Sequence, residues 1–132
     1  MTRFDADDPR ERQKLFAEAI TAHRTRGSAF ATLEADHDPD LDGEESPAPW
    51  IQFADKTFNL DVHGDELDRL KAVVDDFPAF RIDELESPDE AEGTNVRITA
   101  RSDANRLAAF ADRVFKEVYG RDEGYRAWVS AV

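Results

Sequence analysis

Trp50-Ile51-Gln52-Phe53-Ala54-Asp55-Lys56-Thr57-Phe58-Asn59-Leu60-Asp61-Val62 is the stretch that decides the fold class. It holds two short runs rich in aromatic and β-branched residues, separated by a polar turn at Ala54-Asp55-Lys56. In the second run Phe58, Leu60 and Val62 alternate with Thr57, Asn59 and Asp61, the period of a strand buried on one side. The expected unit is an antiparallel hairpin, Trp50 to Phe53 against Thr57 to Val62.

Upstream, Asp8-Pro9-Arg10-Glu11 reads as a helix start, with Asp8 as cap and Pro9 at the first helical position. Leu15, Phe16, Ala19, Ile20 and His23 follow on one helical face, and Gly27 ends the helix. Ser28 to Glu34 has strand alternation. Downstream, a second helix opens at Gly64-Asp65, carries Leu67, Leu70, Val73, Val74 and Phe77 inward, and stops at Pro78. Asp75-Asp76 at its end opposes the helix dipole.

Ala79 to Asp83 and Thr94 to Arg101 read as a further strand pair. Ser102 then caps a third helix with the clearest apolar stripe in the chain: Leu107, Phe110, Ala111, Val114, Phe115 and Val118. Tyr125, Trp128, Val129 and Val132 fall at helical spacing, which predicts a short terminal helix after the stop at Gly120. The phenylalanines, at strand and helix spacing throughout, are expected in the core.

These readings give one α+β domain over residues 1–132, with element order α-β-β-β-α-β-β-α-α. An antiparallel sheet of about five strands should have its helices packed on one face. This order is similar to that of the type III secretion chaperones and their bacterial relatives; the resemblance rests on element order and on no shared motif.

The chain is strongly charged, with 30 Asp and Glu against 17 Lys and Arg and a net charge of -13. Leu, Ile, Val and Phe make up 29 of the 132 residues, about 22% and just above the level at which disorder is expected. Because they are periodic, the chain is expected to fold. Its length suffices to bury a core without a metal or disulfide staple.

The absence of cysteine excludes disulfides, thiolate nucleophiles and Cys-ligated zinc. No apolar run approaches a membrane span, and Met1 to Asp5 lacks an apolar signal core. The acidity opposes binding to a phosphate backbone. The reading is therefore a cytoplasmic protein with no nucleic-acid or membrane partner.

Arg outnumbers Lys 13 to 4, and Asp outnumbers Glu 18 to 12. This usage, with abundant Ala, resembles that of haloarchaeal proteins and implies work in molar salt. At about 1 M salt the Debye length falls to roughly 3 Å, and repulsion among carboxylates is screened. The charge is localised. Residues 35–49 and 83–93 each carry six acids and no base, so these two acidic loops hold 12 of the 13 net negative charges. They should either flank one end of the sheet, focusing a potential suited to cations or a basic partner, or form separate lobes.

Functional motifs are few. No nucleophile elbow, P-loop or dinucleotide fingerprint occurs, and no catalytic or cofactor residue is assigned. Asp38-Pro39-Asp40-Leu41-Asp42-Gly43 reproduces the start of a calcium loop, but the twelfth position is Pro49 instead of Glu. Asp38, Asp40, Asp42 and Glu45, within the Asp36 to Glu45 loop, are the candidate ligands for a divalent cation. His23, His37 and His63 form no ligand spacing; His37 sits among aspartates, and His63 beside Asp65 is the one candidate general base.

Trp50, Phe53, Tyr125 and Trp128 are candidate interface anchors if exposed. The leading expectation is a non-enzymatic domain that binds a protein partner or forms a homodimer. Two others stand beside it: a cation-binding module, and a small enzyme with a site assembled around His63.

Overall fold

The computed structural model describes residues 5–27, 30–38, 48–87 and 93–130. Along them run β1 (Asp5–Ala6), α1 (Pro9–Arg26), β2 (Ala31–Ala35), β3 (Trp50–Ala54), β4 (Thr57–Val62) and α2 (Glu66–Asp75). Then come β5 (Phe80–Glu86), β6 (Thr94–Ala100), α3 (Ala104–Arg113), a π-helical turn (Val114–Val118) and β7 (Ala127–Ser130). The fold is α+β, with three helices beside one open antiparallel sheet. The sheet has seven strands rather than about five, in the order β1-β7-β2-β3-β4-β6-β5.

Three local readings are corrected. Asp5–Ala6 is a strand too short to show periodicity, paired with Trp128 and Ala127. The segment after Gly120 ends in β7 instead of a helix, inserted between β1 and β2. Its spacing was ambiguous: Ala127 and Val129 are buried on either side of exposed Trp128, which is period 2. Pairing with β2, remote in sequence, settles it in favour of the strand. Finally, residues 83–86 belong to β5 and not to an acidic loop; one extra residue near Asp83 breaks the register against β6.

The helix limits follow from local chemistry. Asp8 accepts from the backbone N–H groups of Arg10 and Glu11, and Gly27 closes α1 in the left-handed region. For α3 the cap is Asp103, which accepts from Arg106 N at 2.9 Å; Ser102 instead offers its carbonyl to Arg24. The Asp75-Asp76 oddity resolves in three dimensions, where Arg113 of α3 bonds Asp76 at 2.9 Å. Past Arg113 the helix widens into the π turn, and Arg69 of α2 donates to its last carbonyl, Val118 O. The same turn brings Tyr119 Oη to Asp61 O at 2.5 Å.

One face of the sheet builds the core. Leu33, Ile51, Phe53, Phe58, Leu60, Val96 and Ile98 are all buried under the helices. Phe110 of α3 is the hub, with ring centroids 4.9 to 5.2 Å from Phe58, Phe77 and Phe80. Phe30 departs from the expectation for phenylalanines, being 39% exposed.

Arg12 of α1 is fully buried within this apolar layer. Its Nε donates to Asp112 of α3 at 2.8 Å, and Nη1 donates to Tyr125 O at 2.9 Å. The guanidinium lies 4.0 Å from the centroid of the Tyr125 ring, whose hydroxyl also donates to Asp112. Lys116 approaches the other carboxylate oxygen at 3.4 Å. A buried charge is tolerable only when paired and hydrogen-bonded, and here the pairing joins the first helix, the last helix and the approach to β7.

Replacing Arg12 with Ala removes the main counter-charge of buried Asp112, leaving it Lys116 and the Tyr125 hydroxyl. The expected loss of stability is about 3–5 kcal/mol, read by denaturant unfolding in molar KCl. The joint change Arg12→Met with Asp112→Leu should recover most of it, because the poorly compensated buried charge is gone.

Tyr119 and Tyr125 are the only tyrosines. Burial first, and then the nearby Glu66, Asp61 and Asp112 carboxylates, push both hydroxyls far above their ordinary range. The folded-state pKa is raised, so the associated stability is complete below the unfolded value of about 10 and is lost as pH rises beyond it. Tyrosinate absorbance should therefore stay absent from the folded chain near that pH and appear only with unfolding. Titration of either ring in a chain of native circular dichroism would contradict the packing.

Candidate binding surface

Among the described residues, no helix covers the second face of the sheet. Strand alternation places Thr32 and Glu34 of β2, Trp50 and Gln52 of β3, Asn59 and Asp61 of β4, and Asn95 and Arg97 of β6 on it. The register turns these into rows. Trp128 pairs with Glu34, and Glu34 with Trp50. Continuing the β3–β4 register one residue past Ile51 and Leu60 sets Trp50 beside Asp61. Asp61 in turn pairs with Asn95, and Asn95 with Glu86. The next row runs Thr32, Gln52, Asn59, Arg97, Glu84. Beside it a shallow depression is lined by Phe30, Gln52, Thr57, Asn59, Asp83 and Arg97, among others.

Trp128 is 41% exposed, yet its indole is fixed. The indole N–H donates to Asp36 Oδ1. Arg126 holds Asp5 and Asp7 and lies 3.9 Å from Asp36. The Asp36 carbonyl accepts from Arg121 at 3.0 Å. An exposed aromatic whose polar tip is already satisfied and whose orientation is set by its neighbours suits an interface anchor, because little rotamer entropy remains to be lost on contact.

The other expected anchors separate. Trp50 is half-buried on the same face as Trp128. Phe53 and Tyr125 are buried in the core, Phe53 against Phe58 and Tyr125 against Arg12, so neither meets a partner. Phe30, Glu34 and Asp61 were missed. Alternation around Leu33 and Leu60 was the available signal for all three, since Phe30 and Glu34 share the parity opposite Leu33.

For the calcium-like loop, Asp40, Asp42 and Glu45 lie outside the described residues. Asp38 is described and half-buried, and Asp36 is engaged by Trp128 and Arg126. Among the described residues no cluster of three His, Asp or Glu side chains has metal-holding geometry. His23 is buried edge-on to Phe53 and accepts from Asp55 N. His37 is exposed. His63 is mostly exposed at the end of β4, and its acidic neighbour is Glu66 at 3.7 Å instead of Asp65. No nucleophile stands within hydrogen-bond reach of it among the interactions described.

The strand ends that bound the two acidic segments lie at one end of the sheet. β2 ends and β3 begins where β4 ends, at Val62, and Val62 pairs with Thr94 at the start of β6. Only β4 separates the β2–β3 pair from the β5–β6 pair. At this end Gly93 comes so close that an added Cβ would lie 2.9 Å from His63 Nε2 and 3.2 Å from Val62 O. Asn95 ties the neighbouring strands by donating to Asn59 and Asp61. Chemically, the surface combines the fixed Trp128 indole, a second tryptophan, carboxylates and amides on one plane. Such a plane can contact another macromolecule.

The chain belongs to a family of unknown function, DUF7975, whose model matches residues 1–132. No curated protein and no solved structure matches it. Among the described residues no helix is long and apolar enough to cross a membrane.

In a Trp50→Phe background Trp128 is the only indole. Acrylamide should quench it readily while its fluorescence anisotropy stays that of the whole domain. Asp36→Ala should lower the anisotropy by freeing the ring. Unchanged anisotropy would show that Asp36 does not hold it.

Proposed function

We propose that this member of DUF7975 is a non-enzymatic domain of a salt-rich cytoplasm that binds another protein through the helix-free face of its sheet. The observation that carries the reading is Trp128, exposed on that face with its indole N–H already bonded to Asp36. Trp50 on the same row extends the aromatic surface, and Trp is enriched where binding energy concentrates.

The charge of the face favours a basic partner over a second copy. Glu34, Asp61, Glu84 and Glu86 share it with Arg97 and Arg81, and both acidic segments depart from its Trp50 end. A symmetric dimer built on this face would set like charges against each other. Edge pairing is also opposed: β5, the long edge strand, carries exposed charges and a bulge.

Salt adaptation is supported by the Arg and Asp bias and by the net charge of -13. Between roughly 0.1 M and about 1 M KCl the Debye length falls from about 10 Å to about 3 Å. The melting temperature should rise over that range; a flat or falling profile contradicts the adaptation.

Size-exclusion chromatography with light scattering in molar KCl tests the binding. Natively isolated chain should elute in a complex heavier than its own 14.9 kDa, and Trp128→Ala should release the monomer. A strict monomer with no co-purifying protein contradicts the reading.

A further inference from the structure

The row Trp128, Glu34, Trp50, Asp61 alternates aromatic and acidic side chains on four neighbouring strands, β7, β2, β3 and β4. Adjacent strands lie about 4.8 Å apart. The two indoles therefore stand on either side of Glu34, each one strand away. A cation placed over Glu34 falls within reach of both ring systems, since attraction to an aromatic face extends to about 6 Å from its centroid.

Apart from exposed Glu86, most acids of this region have a partner. Asp5 and Asp7 are held by Arg126, Asp83 by Arg81, and Glu84 by Arg97. Asp61 accepts from Asn95. Glu34 is half-buried between the tryptophans and has no basic or hydrogen-bonding partner among the described residues. A carboxylate that is partly desolvated and unpaired, between two aromatic surfaces, is complementary to an incoming cation.

We infer that Glu34, flanked by Trp128 and Trp50, is the recognition site for an arginine side chain on a basic segment of the partner protein. Arginine fits better than lysine. Its planar guanidinium stacks on an indole while its N–H groups reach a carboxylate, and it is more weakly hydrated than an ammonium. Recognition by contact also survives molar salt, in which longer-range attraction is screened. The inference rests on the proposed use of the helix-free face and adds the chemistry of the group that face receives.

The probe is a set of short blocked peptides of equal length, with two arginines, two lysines or two glutamates spaced by glycine. They are titrated into the whole chain in molar KCl and followed by tryptophan fluorescence. The arginine peptide should give a saturating change, the lysine peptide should bind several-fold more weakly, and the glutamate peptide should give none. Glu34→Gln, which keeps shape and removes charge, should weaken the arginine peptide about tenfold, a difference of about 1.4 kcal/mol. Glu18→Gln, exposed on α1 on the helical side of the sheet, should leave it unchanged.

Equal binding of all three peptides, or an affinity indifferent to Glu34→Gln, overturns the inference. Peptides that fail to bind, while Trp128→Ala still dissolves the native complex, overturn the arginine site and leave the protein-binding reading standing. If neither effect occurs, both fall.

Discussion

The buried pairing of Arg12 with Asp112 holds this molecule in its arrangement. The guanidinium sits where an all-apolar helix face would place a leucine, and its bonds go to α3 and to the backbone of Tyr125. Tyr125 lies two residues before β7. Fixing it fixes the entry of the last strand into the gap between β1 and β2, and that entry puts Trp128 beside Glu34. A contact deep on the helical side thus sets the composition of the opposite surface.

The two sides of the sheet differ for the same reason. The inner side is filled by phenylalanines around Phe110, and three helices are enough to cover it. No described helix is left to cover the outer side, which is built from threonine, amide and charged residues that tolerate water. Trp128, Trp50 and Phe30 stand out against that polar background. Exposed apolar surface of this kind on a sheet is usually kept for contact.

Much of the fold was legible in the sequence because it is set by short-range chemistry. Asp8 and Gly27 bracket α1, the Phe58, Leu60, Val62 alternation defines β4, and Leu107 to Val118 mark the face of the last helix. What could not be read depends on partners remote in sequence. β7 has four residues whose spacing fits either period, and only its pairing with Leu33 and Glu34 decides between them. β1 is two residues long and carries no period at all. Arg12 reads as a surface residue until Asp112, one hundred positions away, is seen beside it.

The candidate surface was half legible. Trp128 and Trp50 stood out as aromatics, but Phe53 and Tyr125 were equally plausible until the two faces were distinguished. Alternation around Leu33 put Glu34 on the outer face but did not single it out among thirty acids; its meaning lies in the cross-strand register, which sets it between the indoles. The most direct measurement is backbone amide chemical-shift mapping of the isotopically labelled chain with the arginine peptide or the native partner. Shifts concentrated at Trp128, Glu34, Trp50 and Asp61 are the predicted result. Shifts concentrated instead on α1 and α3, on the helical side, would contradict the account.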